Sequence, residues 1–136
     1  NLNDKCNIVF TGGPNDIELI EYINQGRYLN LAGKTDILEL MELFSRANLV
    51  MAPDSGSAHL AWATGKPAVI TIFTCTPKDV LAPLGDGKKY IALGGKGLLC
   101  QPCFKRKCKL HKNIDACTNF PNPSDVLEVV QNLIFS

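Results

Sequence analysis

At 136 residues, 46% apolar and 20% charged, the chain has the length and composition of one ordinary globular domain, able to bury a core without disulfide or metal staples. No apolar run in these residues approaches the roughly 18 residues of a membrane span, and no secretory signal is visible. The net charge of +1 conceals an asymmetry: Lys96, Lys105, Arg106, Lys107, Lys109 and Lys112 share one window with no acidic residue, which leaves eight basic residues against thirteen acidic ones elsewhere. That window reads either as a solvated loop or as a surface for an anionic membrane, a glycolipid or nucleic acid.

In chain order, Cys6 to Thr11 is a short apolar run that ends in Gly12-Gly13-Pro14, the pattern of a strand entering a turn. Asn15 or Asp16 can cap a helix running to about Gln25, with Ile17, Ile20 and Ile23 on one face. Arg27 to Leu31 reads as a second strand, ending at Ala32-Gly33-Lys34-Thr35. Thr35 or Asp36 then caps a helix in which Ile37, Leu40, Met41 and Phe44 follow helical spacing. Asn48 to Ala52 is a third strand. The next helix begins after Gly56, is rich in small residues and stops at Gly65, a natural position just past a helix end. Pro67 to Phe73 is almost wholly apolar, as a strand covered on both faces requires. Lys89 to Leu93 is a fifth strand, and Pro123-Ser124-Asp125 opens a last helix with Val126, Val130, Leu133 and Ile134 on one face.

Strands that alternate with single helices imply crossover connections, and so an α/β, doubly wound, Rossmann-like parallel sheet with helices on both sides. Ligands of such sheets bind beyond the carboxyl ends of the strands. Three polar turns leave those ends: Thr11-Gly12-Gly13, Gly33-Lys34-Thr35 and Asp54-Ser55-Gly56. They are expected to converge on one rim. Neither the G-x-G-x-x-G dinucleotide fingerprint nor the G-x-x-x-x-G-K-[ST] loop is present. The third turn carries the most chemistry. A helix that starts at Gly56 offers unpaired N–H groups and the positive end of its dipole to an anion, Ser55 and Gly56 allow close approach, and Asp54 and His59 add groups for a sugar or a proton. The plainer alternative is a helix cap, with Asp54 or Ser55 bonding those N–H groups and His59 buried and satisfied. Lys34 could bring a point charge to a phosphate, or simply project from a turn capped by Thr35. Gly12 and Gly13 permit close backbone approach, as turn glycines also do for purely local reasons.

Four of the six cysteines fall in 18 residues, as Cys100-x2-Cys103-x4-Cys108-x8-Cys117. The first pair has metal-ligand spacing, and four thiolates would satisfy a tetrahedral structural zinc. Disulfides, an iron–sulfur site and reduced thiols are the alternatives, with stable disulfides disfavoured in the absence of a secretory signal. Cys6 and Cys75 read as core or loop thiols.

With these residues in view, the sequence resembles glycosyltransferase family 9, the ADP-heptose:lipopolysaccharide heptosyltransferases and their relatives. Asn30-Leu31-Ala32-Gly33-Lys34-Thr35 followed by Leu38-Glu39-Leu40 is similar to the family's N-L-x-G-x-[ST] and helix. Asp54-Ser55-Gly56-Ser57-Ala58-His59-Leu60-Ala61 resembles its D-[ST]-G-x-x-H-[LI]-A signature, and Gly65-x-Pro67 the following G-x-P. The Cys100-x-Pro102-Cys103 segment with Cys108 and Cys117 is similar to the cysteine-rich tail of many members. The chain departs from the family's F-G-P-T-D-P-like loop, reading Phe73-Thr74-Cys75-Thr76-Pro77-Lys78; Thr76, Pro83 and Gly85 fit, whereas Thr74 and Pro77 do not.

The resemblance implies the C-terminal, nucleotide-sugar-binding half of a GT-B enzyme, so that residues 1–136 are one donor-binding domain with a cysteine-rich basic segment at about 96–117. The opening at Asn1 rather than Met reads as a processed or excised piece whose N-terminal acceptor domain is absent. It implies an ADP-heptose-like donor held by Asp54, Ser55, Gly56 and His59, with the turn around Gly33, Lys34 and Thr35 near the nucleoside; Gly12 and Gly13, on the same expected rim, complete the donor-binding set. It implies inverting transfer to a glycolipid acceptor in lipopolysaccharide core or related glycan synthesis, with the catalytic base in the other domain and none in this chain. No cofactor is required by that chemistry. The location implied is cytoplasmic, peripheral at the inner face of the membrane, with no nucleic acid among the partners. A different class of reading stays open beside it: a non-catalytic Rossmann-like module whose metal-binding, basic tail takes nucleic acid or a protein.

Overall fold

The computed structural model describes residues 6–83, 89–94, 100–105 and 121–135. The chain divides into two compact units, residues 1–42 and 43–136, with the division inside one helix. Each unit is parallel α/β.

In the first unit, β1 (Val9–Phe10) pairs in parallel with β2 (Leu29–Asn30), in the register Val9 to Leu29 and Phe10 to Asn30. A 3-10 turn (Pro14–Asp16) and α1 (Ile17–Asn24) make the crossover between them. Both strands are shorter than their apolar runs suggest. For β2 the cause is Asn24, which is buried: its Nδ2 donates to the Tyr28 carbonyl and its Oδ1 accepts from the Tyr28 N–H, both at 2.9 Å, so the backbone there is engaged before the ladder begins. Of the expected apolar face of α1, Ile20 is buried and Ile17 half-buried, whereas Ile23 is exposed.

The helix α2 (Ile37–Arg46) starts in the first unit and ends in the second. Its cap is Asp36 rather than Thr35. Asp36 Oδ1 accepts from the N–H groups of Leu38 and Glu39, and Glu39 Oε2 accepts in return from the Asp36 N–H, a reciprocal box that satisfies the orphan donors of the first turn. Phe44 is buried and Leu40 and Met41 are half-buried, but Ile37, at the first helical position, is 65% exposed and takes no part in the core.

In the second unit β3 (Leu49–Pro53), β4 (Ala68–Phe73) and β5 (Tyr90–Gly94) form a parallel sheet in that order, with β4 central. Val69, Ile70, Thr71 and Phe73 of β4 are fully buried, as expected of a strand covered on both faces. The helix α3 (Gly56–Ala63) lies against β3 and β4 through Ala58 and Ala61, whose small side chains let the helix approach closely. Trp62 then meets Tyr90 of β5 edge-on, with ring centroids 5.4 Å apart. Gly94 closes β5 at φ +122°, where a Cβ would stand 1.9 Å from the Phe73 carbonyl oxygen, so only glycine allows the register Phe73 to Gly94.

Two further elements complete the second unit. A short helix, α4 (Lys78–Leu81), occupies what reads as plain loop in the sequence. The last helix, α5 (Pro123–Phe135), buries Val130 and half-buries Val126, Leu133 and Ile134, the expected face. The single sheet expected from the strand order is present as two parallel sheets, of two and three strands, among the described residues. The β1–β2 pair is too short to be more than a local ladder.

Candidate functional site

The second unit builds its polar turn at the carboxyl end of β3. The Asp54 N–H continues the ladder by donating to the Ile72 carbonyl at 3.0 Å, so the residue is fixed to the central strand. Its carboxylate is fixed as well: Thr76, just beyond β4, donates its Oγ1–H to Asp54 Oδ2 at 2.6 Å, the short distance of a charge-assisted bond. Ser55 follows in extended backbone as the N-cap of α3, and here the helix-cap alternative is not what is found. The Ser55 side chain donates backwards to the Pro53 carbonyl at 3.1 Å and makes no cap bond to the helix. The Asp54 carboxylate is turned to Thr76. The N–H groups of the first turn, Gly56 and Ser57, are left without a side-chain cap, at the positive end of the helix dipole. A Cβ built on Gly56 meets nothing within 4 Å. Among the described residues, packing therefore does not require glycine there. His59, one turn further on, is exposed rather than buried.

Behind this turn lies a buried polar pair that the sequence does not signal. Tyr90 is buried against Trp62, and its hydroxyl titrates above its ordinary value. Burial is the main cause, the negative charge of Asp54 adds to it, and the neighbouring Thr71 hydroxyl opposes it. Thr71 Oγ1 is itself fully buried without a hydrogen bond of good geometry.

The other expected site residues belong to the first unit and are engaged locally. The Gly13 N–H donates to Asp16 Oδ2 at 2.8 Å, so Asp16 closes the turn instead of capping α1. A Cβ on Gly12 would stand 2.8 Å from Asp16 Cβ, and one on Gly33, at φ +69°, 2.7 Å from Ile17 Cδ1. The Gly33 N–H donates to the Gly12 carbonyl at 2.9 Å, so these two turns are joined to each other. Both glycines are thus explained by their own packing. Lys34 Nζ donates to the Asn30 carbonyl at 3.0 Å, and Thr35 is half-buried outside the cap.

Of the four clustered cysteines, Cys100 is exposed and Cys103 half-buried, whereas Cys108 and Cys117 lie outside the described residues, as do Lys96, Arg106, Lys107, Lys109 and Lys112. Among the described residues no three metal-ligating side chains are grouped. Cys75 is nevertheless beside the cluster, since its carbonyl accepts from the N–H groups of Cys103 and Phe104 at 3.0 and 3.2 Å.

The family model for glycosyltransferase family 9 (heptosyltransferase) matches residues 1–114. The chain belongs to this family. It is similar to the lipopolysaccharide core heptosyltransferase OpsX of Haemophilus influenzae, 37% identical over 68 residues that cover 46% of this chain and 20% of that protein. It is also similar to lipooligosaccharide heptosyltransferase 2 of the same organism, 35% identical over 65 residues that cover 48% of this chain and 18% of the relative. The chain thus spans about a fifth of the length of the curated relatives it matches. The crystal structure of the glycosyl transferase family 9 from Veillonella parvula DSM 2008 superimposes with a TM-score of 0.68 over 93% of this chain and 36% of that one, at 20% identity. That likeness shows the fold, the Rossmann-like α/β architecture expected from the order of strands and helices.

Proposed function

We propose that the Asp54–Gly56 turn and the N-terminus of α3 hold the diphosphate and sugar of an ADP-heptose-like donor, in an inverting glycosyl transfer that builds lipopolysaccharide core or a related glycan. The observation that carries the reading is the uncapped first turn of α3 behind a glycine whose missing side chain faces open space. The N–H groups there are preorganised for an anion, and such donors are each worth about 3 kcal/mol when charge develops on a leaving group. A leaving nucleoside diphosphate is that kind of group.

Asp54 cannot share the phosphate position. A carboxylate 4 Å from a phosphate oxygen costs about 4 kcal/mol at an effective dielectric constant of 20. With Oδ2 held by Thr76, its role is to accept hydrogen bonds from sugar hydroxyls. The acceptor hydroxyl is a glycolipid's, and the base that deprotonates it is supplied from outside these residues. The relatives' names support the sugar and the acceptor.

Titration calorimetry with ADP and with ADP-heptose tests the reading. Wild type is expected to bind both, and Asp54→Ala to lose at least about tenfold in affinity for ADP-heptose with little change for ADP. Absence of binding to either ligand, or equal binding by wild type and Asp54→Ala, overturns it. A second expectation belongs with the first: incubation of these residues alone with donor and acceptor transfers no sugar.

A further inference from the structure

The cysteine-rich segment finds no use in the donor site as described, yet it holds the loop next to that site. After β4 the chain presents two carbonyls in succession to residues 101–104. The Thr74 carbonyl accepts from Gln101 Nε2, and the Cys75 carbonyl accepts from both the Cys103 and Phe104 N–H groups. The next residue is Thr76, whose hydroxyl holds Asp54. On its other side Pro77 starts α4, its carbonyl accepting from Val80 and Leu81. Thr76 is therefore pinned from before by the cysteine-rich segment and from behind by a helix.

We propose that Thr76 is a positioning residue that sets the Asp54 carboxylate for the donor sugar, and that Gln101 to Phe104 serve as the clamp that sets Thr76. The clamp gives the first part of the cysteine-rich segment a place in substrate recognition. The chemistry is simple. A carboxylate at a strand end rotates about two bonds, and one short bond from a fixed hydroxyl removes that freedom and leaves Oδ1 to the ligand. A hydroxyl can do this only if its backbone is fixed, and three donors on two consecutive carbonyls fix it.

The inference rests on the donor reading, and the experiment separates the two. Thr76→Val removes the hydroxyl at nearly constant volume, Thr76→Ser keeps it, and Gln101→Leu removes one arm of the clamp. Binding of ADP and ADP-heptose is measured for all three beside Asp54→Ala, together with the 13C carboxylate shift of Asp54. Thr76→Val is expected to weaken ADP-heptose about tenfold with ADP unchanged. Thr76→Ser restores wild-type affinity, and Gln101→Leu moves the Asp54 shift and weakens ADP-heptose by a smaller factor. If Asp54→Ala loses the sugar nucleotide while Thr76→Val binds like wild type, Thr76 has no positioning role. A Thr76→Val that weakens both ligands equally, unrescued by serine, reduces the residue to a structural one and also overturns the proposal. A Gln101→Leu that leaves both readouts at wild type removes the clamp. Failure of wild type to bind either ligand is instead the failure of the donor reading.

Discussion

Residue-scale chemistry at the α3 N-terminus separates glycines that the fold needs from one that it does not. Gly12 and Gly33 are wedged against Asp16 and Ile17, and Gly94 against the Phe73 backbone. A Cβ on Gly56 would meet nothing within 4 Å among the described residues. A methyl there should fit, and replacing glycine by alanine where the backbone allows it stabilises by as much as about 1 kcal/mol through the unfolded chain. We therefore expect Gly56→Ala to unfold at the same or a slightly higher temperature, yet to bind ADP at least about tenfold more weakly, because the methyl stands where the phosphate must come. Calorimetric melting and titration on the same sample measure both. Normal ADP affinity in Gly56→Ala would show that no ligand comes close to this turn. Asp54-Ser55-Gly56 was legible in the sequence because a helix N-terminus is encoded by adjacent residues. Thr76 was not legible in its role, because its partner is 22 residues away and only the β3–β4 register brings them together.

Among the elements, legibility followed burial. The apolar run of β4 lies in the core almost throughout, and the last helix turns inward the face that its spacing predicts, with Val130 buried. The failures are at ends and in loops. Ile23 and Ile37 have helical spacing but sit on turns at helix ends, where the face no longer meets the core. The helix α4 has four residues, too few for periodicity to register. β2 starts late because one side chain, Asn24, takes the backbone groups of Tyr28 just before it. The β4–β5 pair yields the element-scale prediction. At Gly94 both the positive φ and the 1.9 Å approach to the Phe73 carbonyl forbid a side chain, so Gly94→Ala must part the strand ends. A loss of about 2 kcal/mol or more is expected in urea denaturation, against no loss for Gly65→Ala beyond the strain of its own φ, since a Cβ there meets nothing within 4 Å. Equal midpoints for the two variants would mean that the strands do not approach as closely as described.

For the molecule as a whole, the sheet order places an ionisable hydroxyl of the core within the electrostatic reach of Asp54, and pH reads that link. No helix among the described residues is long and apolar enough to cross a membrane. Tyr90 is held neutral by burial first and by the charge of Asp54 second. Its folded value lies above the unfolded 10.0, so the folded state binds the proton more tightly. The corresponding stability is fully present below about pH 10 and is lost as the pH rises through the folded value. Wild type should therefore weaken in urea above pH 10 more steeply than Tyr90→Phe. An absorbance titration at alkaline pH should show one of the three tyrosines ionising after the others, and that late step should vanish in Tyr90→Phe. Because Asp54 raises the value by its charge, Asp54→Asn should bring the late step to lower pH without abolishing it, since burial remains. A late step unmoved by Asp54→Asn would show that the Asp54 carboxylate is screened from the core. Binding of a diphosphate beside Asp54 adds negative charge near the same hydroxyl, so ADP should push the step to higher pH in wild type and leave the alkaline urea profile of Tyr90→Phe without that component.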